Sequence, residues 1–222
     1  MIIDKKTKVF MGYFIAYILV SIPIFIHSKN FIHIALIWNL FLAILPLIFA
    51  KILQNTQKNI NKLKQISLSF LWLFFFPNSP YIITDFIHIS GINFYWKEYP
   101  YSSIIYSKEI IYWVEIIHMG FAAIFGTLMG LLSMFIIHQI LLIKFKNIFA
   151  NSIIVMVCFL SGYGVYIGRF LRFNSWDILQ PIKLLSQLSN NLDYFSLNFS
   201  LFFGIYILAS YYLFYVIHKN SH

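Results

Sequence analysis

Charge is what this sequence has least of. Asp, Glu, Lys and Arg make up 10% of its 222 residues, against about 25% in a soluble domain. With 60% hydrophobic residues and 25 Phe, a water-soluble fold would leave large apolar areas uncovered. Lipid is the medium that covers them. Cysteine is nearly absent. Cys158 stands alone in an apolar run, which excludes an intrachain disulfide and reads as a small buried hydrophobe rather than a catalytic thiol. Missing too are a glycine-rich nucleotide loop, a serine elbow and zinc-finger spacing. The first apolar run ends in "SIPIFIHSK", which offers no small-x-small cleavage site. That run therefore reads as an uncleaved helix.

Acidic residues are scarce even among the charges: 7 Asp and Glu against 16 Lys and Arg, a net charge of +9. In a soluble protein this excess would suggest nucleic acid. Here the lysines fall in short gaps between apolar segments, where anionic lipid and control of topology explain them. Membrane lipids are the expected partner and nucleic acid is not.

What is present is a series of apolar runs. Segment one covers about Val9 to Ile26 and segment two about Phe31 to Ala50. Pro23 and Pro46 fall near helix ends, where kinks are tolerated. The polar stretch Lys51 to Gln65 fits either an interfacial helix or a wet loop. Segment three starts near Ile66, but Ile66 to Phe76 is too short for the roughly 20 residues a helical crossing needs. The crossing must therefore include "PNSPYIITDFIH", from Pro77 to His88. Pro80 lacks an amide hydrogen and disfavours helix at the residue before it. A broken helix is expected, with Asp85 and His88 near its far end. An aromatic loop, Gly91 to Lys108, precedes segment four, about Ile110 to Ile137 or Ile143. Segment five is Ile148 to Gly168. An exposed connection from Phe170 to Asn198, with a short interfacial helix around Ile178 to Leu188, leads to segment six, Phe199 to Ile217. The fold class is an all-α polytopic transmembrane bundle of about six helices, one integral membrane domain over residues 1–222.

Six crossings place both termini on one side. Lys5, Lys6, Lys8, Lys51, Lys58, Lys62, Lys64, Lys144, Lys146 and Lys219 then share the terminal side, ten positive charges. Lys29, Lys97, Lys108, Arg169, Arg172 and Lys183 share the other, six. The excess makes the terminal side cytoplasmic. The opening motif, the start of segment four and the end of segment five then reach the same outer face.

Three polar pairs repeat one spacing: Asp85 with His88, Glu115 with His118, and Arg169 with Arg172 followed by Asp177. Residues three apart share a helix face, and ionisable groups in a membrane face a bundle interior or a cavity. Several readings are open. The groups form structural ties: Asp85 or Asp177 with an arginine, Glu115 with His118 or an arginine, Asn78 and Ser79 bonded to carbonyls that the prolines free. Alternatively, Asp85, His88, Glu115 and His118 are a catalytic set, or ligands to a divalent metal such as zinc or manganese that activates water. "EIIH" does not have the HExxH arrangement. Without a metal, Arg169 and Arg172 bind a phosphate or other anion while His88 or His118 acts as base. A broken helix beside intramembrane charge is also the layout of secondary transporters. His33, in "FIHI", reads as a packed or interfacial histidine. Gly126 with Gly130 and Gly164 with Gly168 are small-x-x-x-small pairs suited to close packing within the chain or in a homodimer. Trp96, Trp113 and Trp176 suit an aromatic belt.

"LWLFFFPNSPYIITDFIHI" (Leu71 to Ile89) and "GRFLRFNSWDIL" (Gly168 to Leu179) resemble the two signature blocks of the DUF1361 family of bacterial membrane proteins. The resemblance implies a bacterial inner-membrane location and draws attention to Asn78, Tyr81, Asp85, His88, Arg169, Arg172, Asn174, Trp176 and Asp177 as substrate- or anion-binding and catalytic candidates. It implies no established activity. The favoured expectation is a hydrolase or transferase acting on a lipid-linked or extracytoplasmic substrate. The alternative is a small-solute transporter or a non-enzymatic accessory protein.

Overall fold

The structure is a computed structural model and describes residues 5–56, 61–172 and 191–219. It contains six helical segments long and apolar enough to cross a membrane. The chain is a multi-pass membrane protein. Helix α1 is Lys5–Ser28, α2 is Ile32–Thr56, and α3 is Lys62–Phe75. A single turn, α4, covers Asn78–Tyr81, and a 3₁₀ segment covers Ile82–Gly91. Two short strands follow, β1 (Tyr95–Trp96) and β2 (Ile105–Tyr106). Then come α5 (Ile110–Lys144), α6 (Asn147–Phe170) and α7 (Tyr194–Lys219).

The third crossing runs from Lys62 to Gly91 and is broken at the expected place. Ser79 N–H bonds to Phe76 O at 3.1 Å, three residues back, so the last turn tightens. That leaves the Phe75 carbonyl, which takes the Asn78 side-chain amide at 2.9 Å. Ser79 Oγ donates to Ala43 O at 3.0 Å. Both side chains therefore bind main-chain carbonyls, though not the Leu73 and Phe76 carbonyls that Pro77 and Pro80 leave without an i+4 amide. The 10-residue 3₁₀ run beyond them is long for a geometry seen mostly in runs of about 3–4 residues. The aromatic loop contains an antiparallel hairpin that sequence reading did not anticipate, pairing Tyr95 with Tyr106 and Trp96 with Ile105. The expected interfacial helix at Ile178 to Leu188 lies outside the described residues.

Close contacts divide the chain into two compact units. The first comprises Met1–Phe41 and Ile82–Phe125. Its core follows one stripe per helix: Tyr17 and Ile24 on α1, Ile32, Leu36 and Leu40 on α2, Met119, Ala122 and Phe125 on α5. Tyr17 stacks on Phe121, which stacks on Phe125.

The second comprises Leu42–Tyr81 and Gly126–His222. Here glycines make room for the broken segment. A Cβ at Gly130 would lie 2.5 Å from Ser79 Cβ, one at Gly164 2.7 Å from Pro77, and one at Gly168 3.2 Å from the Tyr81 ring. These glycines pack within the chain, as expected, but against the Pro-Asn-Ser-Pro-Tyr turn. The bare backbone approach is instead between α6 and α7. A Cβ at Gly162 would sit 2.3 Å from Ser200 O, and one at Gly204 2.4 Å from Phe159. The sequence signal was Ser200-x-x-x-Gly204, a small-residue pair on the last helix.

Candidate functional site

The first unit holds a buried chain of polar side chains. It begins at the turn between α1 and α2. Asn30 Oδ1 accepts from Ile32 N–H at 3.2 Å, capping α2. That fixes the amide orientation, and Asn30 Nδ2 donates to Glu115 Oε2 at 2.9 Å. His33, the fully buried second residue of α2, places Nε2 3.2 Å from the same oxygen. The ring nitrogen is out of line for a formed hydrogen bond, so the distance supports electrostatic pairing and the junction is the open link in the chain. His33 Nδ1 lies 2.9 Å from His118 Nδ1. His118 Nδ1 also lies 3.2 Å from the Tyr17 hydroxyl, and its Nε2 lies 2.9 Å from Ser21 Oγ. Ser21 Oγ donates to Tyr17 O at 2.7 Å.

Counting protons along this chain restricts it. The Ser21 hydroxyl hydrogen goes to the Tyr17 carbonyl, so Ser21 accepts from His118, and His118 carries its proton on Nε2. A neutral His118 then accepts on Nδ1, and His33 must donate from its own Nδ1. The remaining His33 Nε2 faces a carboxyl oxygen. A lone pair 3.2 Å from an ionised carboxylate is unfavourable, so the Glu115–His33–His118 set has a place for one extra proton. It can sit on Glu115. It can sit on His33 Nε2, making an imidazolium. Or it can be passed on, leaving His33 protonated at Nε2 alone and His118 at both nitrogens. All three assignments use the same heavy-atom positions.

Burial explains why the chain forms. Glu115 and His118 lie on one face of α5 and are 4% and 5% exposed. At 1.5 Å per residue they sit about 8 and 12 Å from the start of that helix, where unpaired polar groups are expensive. Asp85, 2% exposed, is satisfied separately: Asn39 Nδ2 donates to its Oδ2 at 2.8 Å.

The expected site residues are distributed as follows. Glu115 and His118 are joined through His33 rather than paired directly, which corrects the simple i, i+3 tie. Asp85 bonds Asn39, and His88 is exposed. Among the described residues, no three of His, Cys, Asp and Glu gather into a group able to hold a metal ion. Asp85, His88, Glu115 and His118 thus do not form the ligand set that their spacing suggested, because Asp85, Glu115 and His118 are turned to separate protein partners and His88 is exposed. In the second unit, Tyr81 lies beneath Arg169, whose guanidinium carbon is 4.5 Å from the ring centroid. Arg172 adopts a left-handed backbone with φ 54° just past α6. Asn174, Trp176 and Asp177 lie outside the described residues. Sequence reading missed Tyr17, Ser21, Asn30 and Asn39, and it gave His33 only a packing role. The available signal was polar residues recurring on otherwise apolar stripes, as at Tyr17 and Ser21, four apart on α1.

A family described as a protein of unknown function (DUF1361) has a model that matches residues 38–210. The chain belongs to the DUF1361 family. Both blocks that suggested DUF1361 fall within the match, as do Asn39, Asp85, Glu115 and His118. Tyr17, Ser21, Asn30 and His33 precede the matched DUF1361 stretch. No curated protein and no solved structure matches the chain.

Proposed function

We propose that this protein is a small-solute transporter driven by protons, with the Glu115–His33–His118 chain as its proton-binding element. The observation that supports the reading is the continuous run of contacts from Glu115 through His33 to His118, whose heavy atoms accommodate an extra proton in three placements. Carboxylate and histidine chains inside a membrane are the usual proton relays of pumps and transporters. The chain ends on the Tyr17 main-chain carbonyl, which favours holding and releasing a proton over conducting a stream of them. The hydrolase or transferase reading draws less support. Asp85, Glu115 and His118 are buried and engaged by protein groups, whereas a general base must reach its substrate. The proposal keeps both termini on the cytoplasmic side of a bacterial cell membrane, on the lysine excess. Acyl chains cover exposed residues such as Leu19, Phe202 and Leu213.

The test is an infrared difference spectrum of the reconstituted protein across a pH step. The expected result is a protonated-carboxyl band that titrates in wild type, is absent from Glu115→Gln, and titrates at altered pH in His118→Phe. Proteoliposomes carrying a pH-sensitive dye should show solute-dependent proton entry that Glu115→Gln abolishes. A wild-type spectrum indistinguishable from that of Glu115→Gln would end the proposal.

A further inference from the structure

The loop between the third crossing and α5 borders an open cavity of about 400 Å³, lined by Trp96, Tyr106 and Tyr112 with Asn93, Lys108 and Glu109. That size falls within the range of small-molecule sites, about 300–1,000 Å³. The wall is held in place by Ser107, whose N–H bonds Phe94 O at 2.7 Å. Its carbonyl accepts the Trp113 indole N–H at 3.1 Å, and its hydroxyl accepts Glu109 N–H at 3.2 Å. Ser107 therefore ties the wall to Phe94, Glu109 and Trp113. The side chains of Asn93, Lys108 and Glu109 are exposed and make no hydrogen bond or ion pair with the described residues.

We infer that this cavity binds a neutral sugar or sugar-like polyol. Three aromatic rings provide flat apolar faces, to which the C–H face of a pyranose is complementary. An amide, an ammonium and a carboxylate provide donors and acceptors together, which is what a ring of hydroxyls needs. Lys108 and Glu109 carry opposite charge, so a cation gains from one and loses to the other, and an anion does the reverse. A purely apolar ligand would strip water from three polar heads with nothing in exchange. A neutral ligand with an apolar face and a polar rim uses every wall. None of the lining residues belongs to the proton chain, and the test reads binding alone.

The experiment is a thermal-shift titration of the full chain in a detergent without a sugar headgroup. The probes are methyl α-glucoside and N-acetylglucosamine, with glycine betaine and leucine as zwitterionic controls. The expected result is a saturable rise in Tm with at least one sugar, none with the controls, and an affinity about tenfold weaker in Trp96→Ala, equivalent to about 1.4 kcal/mol. Trp38→Ala, on α2 outside the cavity, should bind as wild type does. If Trp96→Ala does not fold, Asn93→Ala and Glu109→Gln are read in its place, with the same direction expected. No shift with either sugar overturns the assignment. So does binding of betaine or leucine instead, or a sugar shift that the cavity variants leave unchanged.

Discussion

Replacing Glu115 separates its structural from its protonic role. In Glu115→Ala, Asn30 Nδ2 loses its 2.9 Å acceptor and the fully buried His33 Nε2 loses the oxygen at 3.2 Å. Hydrogen bonds between membrane helices average about 0.6 kcal/mol. A buried polar atom left without a partner costs about 1–3 kcal/mol, and the vacated volume adds about 1 kcal/mol. The expected loss is about 2–4 kcal/mol. For a chain of this length that is roughly 4–16 °C in Tm. Glu115→Gln behaves differently. Asn30 Nδ2 and His33 Nε2 meet the same carboxyl oxygen, so the glutamine carbonyl placed there keeps the Asn30 bond and the side-chain volume, and it pairs with His33 only when Nε2 carries a proton. Glu115→Gln should melt closer to wild type than the alanine variant does, within about 1 kcal/mol, since the Asn30 contact and the packing survive in an isosteric side chain. It should nevertheless fail to release a proton. Thermal unfolding of the two variants in the same detergent reads the difference. An alanine variant as stable as the glutamine variant would refute the reasoning, since neither contact would then hold any net energy.

Other outcomes follow from single positions. Gly162→Ala should lower stability by about 1–3 kcal/mol, the usual range for overpacking, because its Cβ meets the Ser200 backbone at 2.3 Å; Gly91→Ala, with nothing within 4 Å, should be near neutral, and paired melting curves test both. Lys29 has φ 59° at the end of α1, so Lys29→Gly should gain up to about 1 kcal/mol while Lys29→Val loses stability, read as Tm. Asp193 caps α7 by accepting from Ser196 N–H at 2.7 Å, and the Ser196 hydroxyl accepts Asp193 N–H at 2.9 Å in return. These bonds hold the Asp193 carboxyl below the usual carboxylate range. A depressed value means the cap is fully present above the unfolded pKa near about 3.9 and is lost as pH falls through the lower folded value. Hydrogen exchange at Ser196 and Leu197 should therefore stay protected at neutral pH and rise only in that acid window, whereas Asp193→Ala should remove protection at every pH.

Much of the architecture was legible in the order of residues alone. Crossing a bilayer demands about 20 apolar residues with all backbone groups bonded internally, so six such runs and six spans correspond closely. The break in the third crossing was legible too, because Pro77 and Pro80 remove amide hydrogens wherever they sit. The hairpin at Tyr95 and Tyr106 was not. Its strands are two residues each, too short for any alternation to register.

The candidate site divides the same way. Composition and spacing marked Glu115 and His118 as groups that must face something other than lipid. They did not say what, since the partner in space is set by how α1, α2 and α5 meet in the first unit. His33 and Asn30 belong to the site because the turn at Ser28 to Phe31 carries them to α5, and Ser21 belongs because α1 presents it to the far side of the His118 ring. The four-residue metal set failed for the same reason: i, i+3 spacing places two groups on one face of one helix, but convergence of two such pairs depends on helix rotation. By itself the sequence determined the membrane class, the number of spans and the location of the break, because those depend on local hydropathy and backbone chemistry. Only the tertiary structure decided which polar groups meet, because that depends on contacts between residues about a hundred positions apart, such as Ser21 with His118.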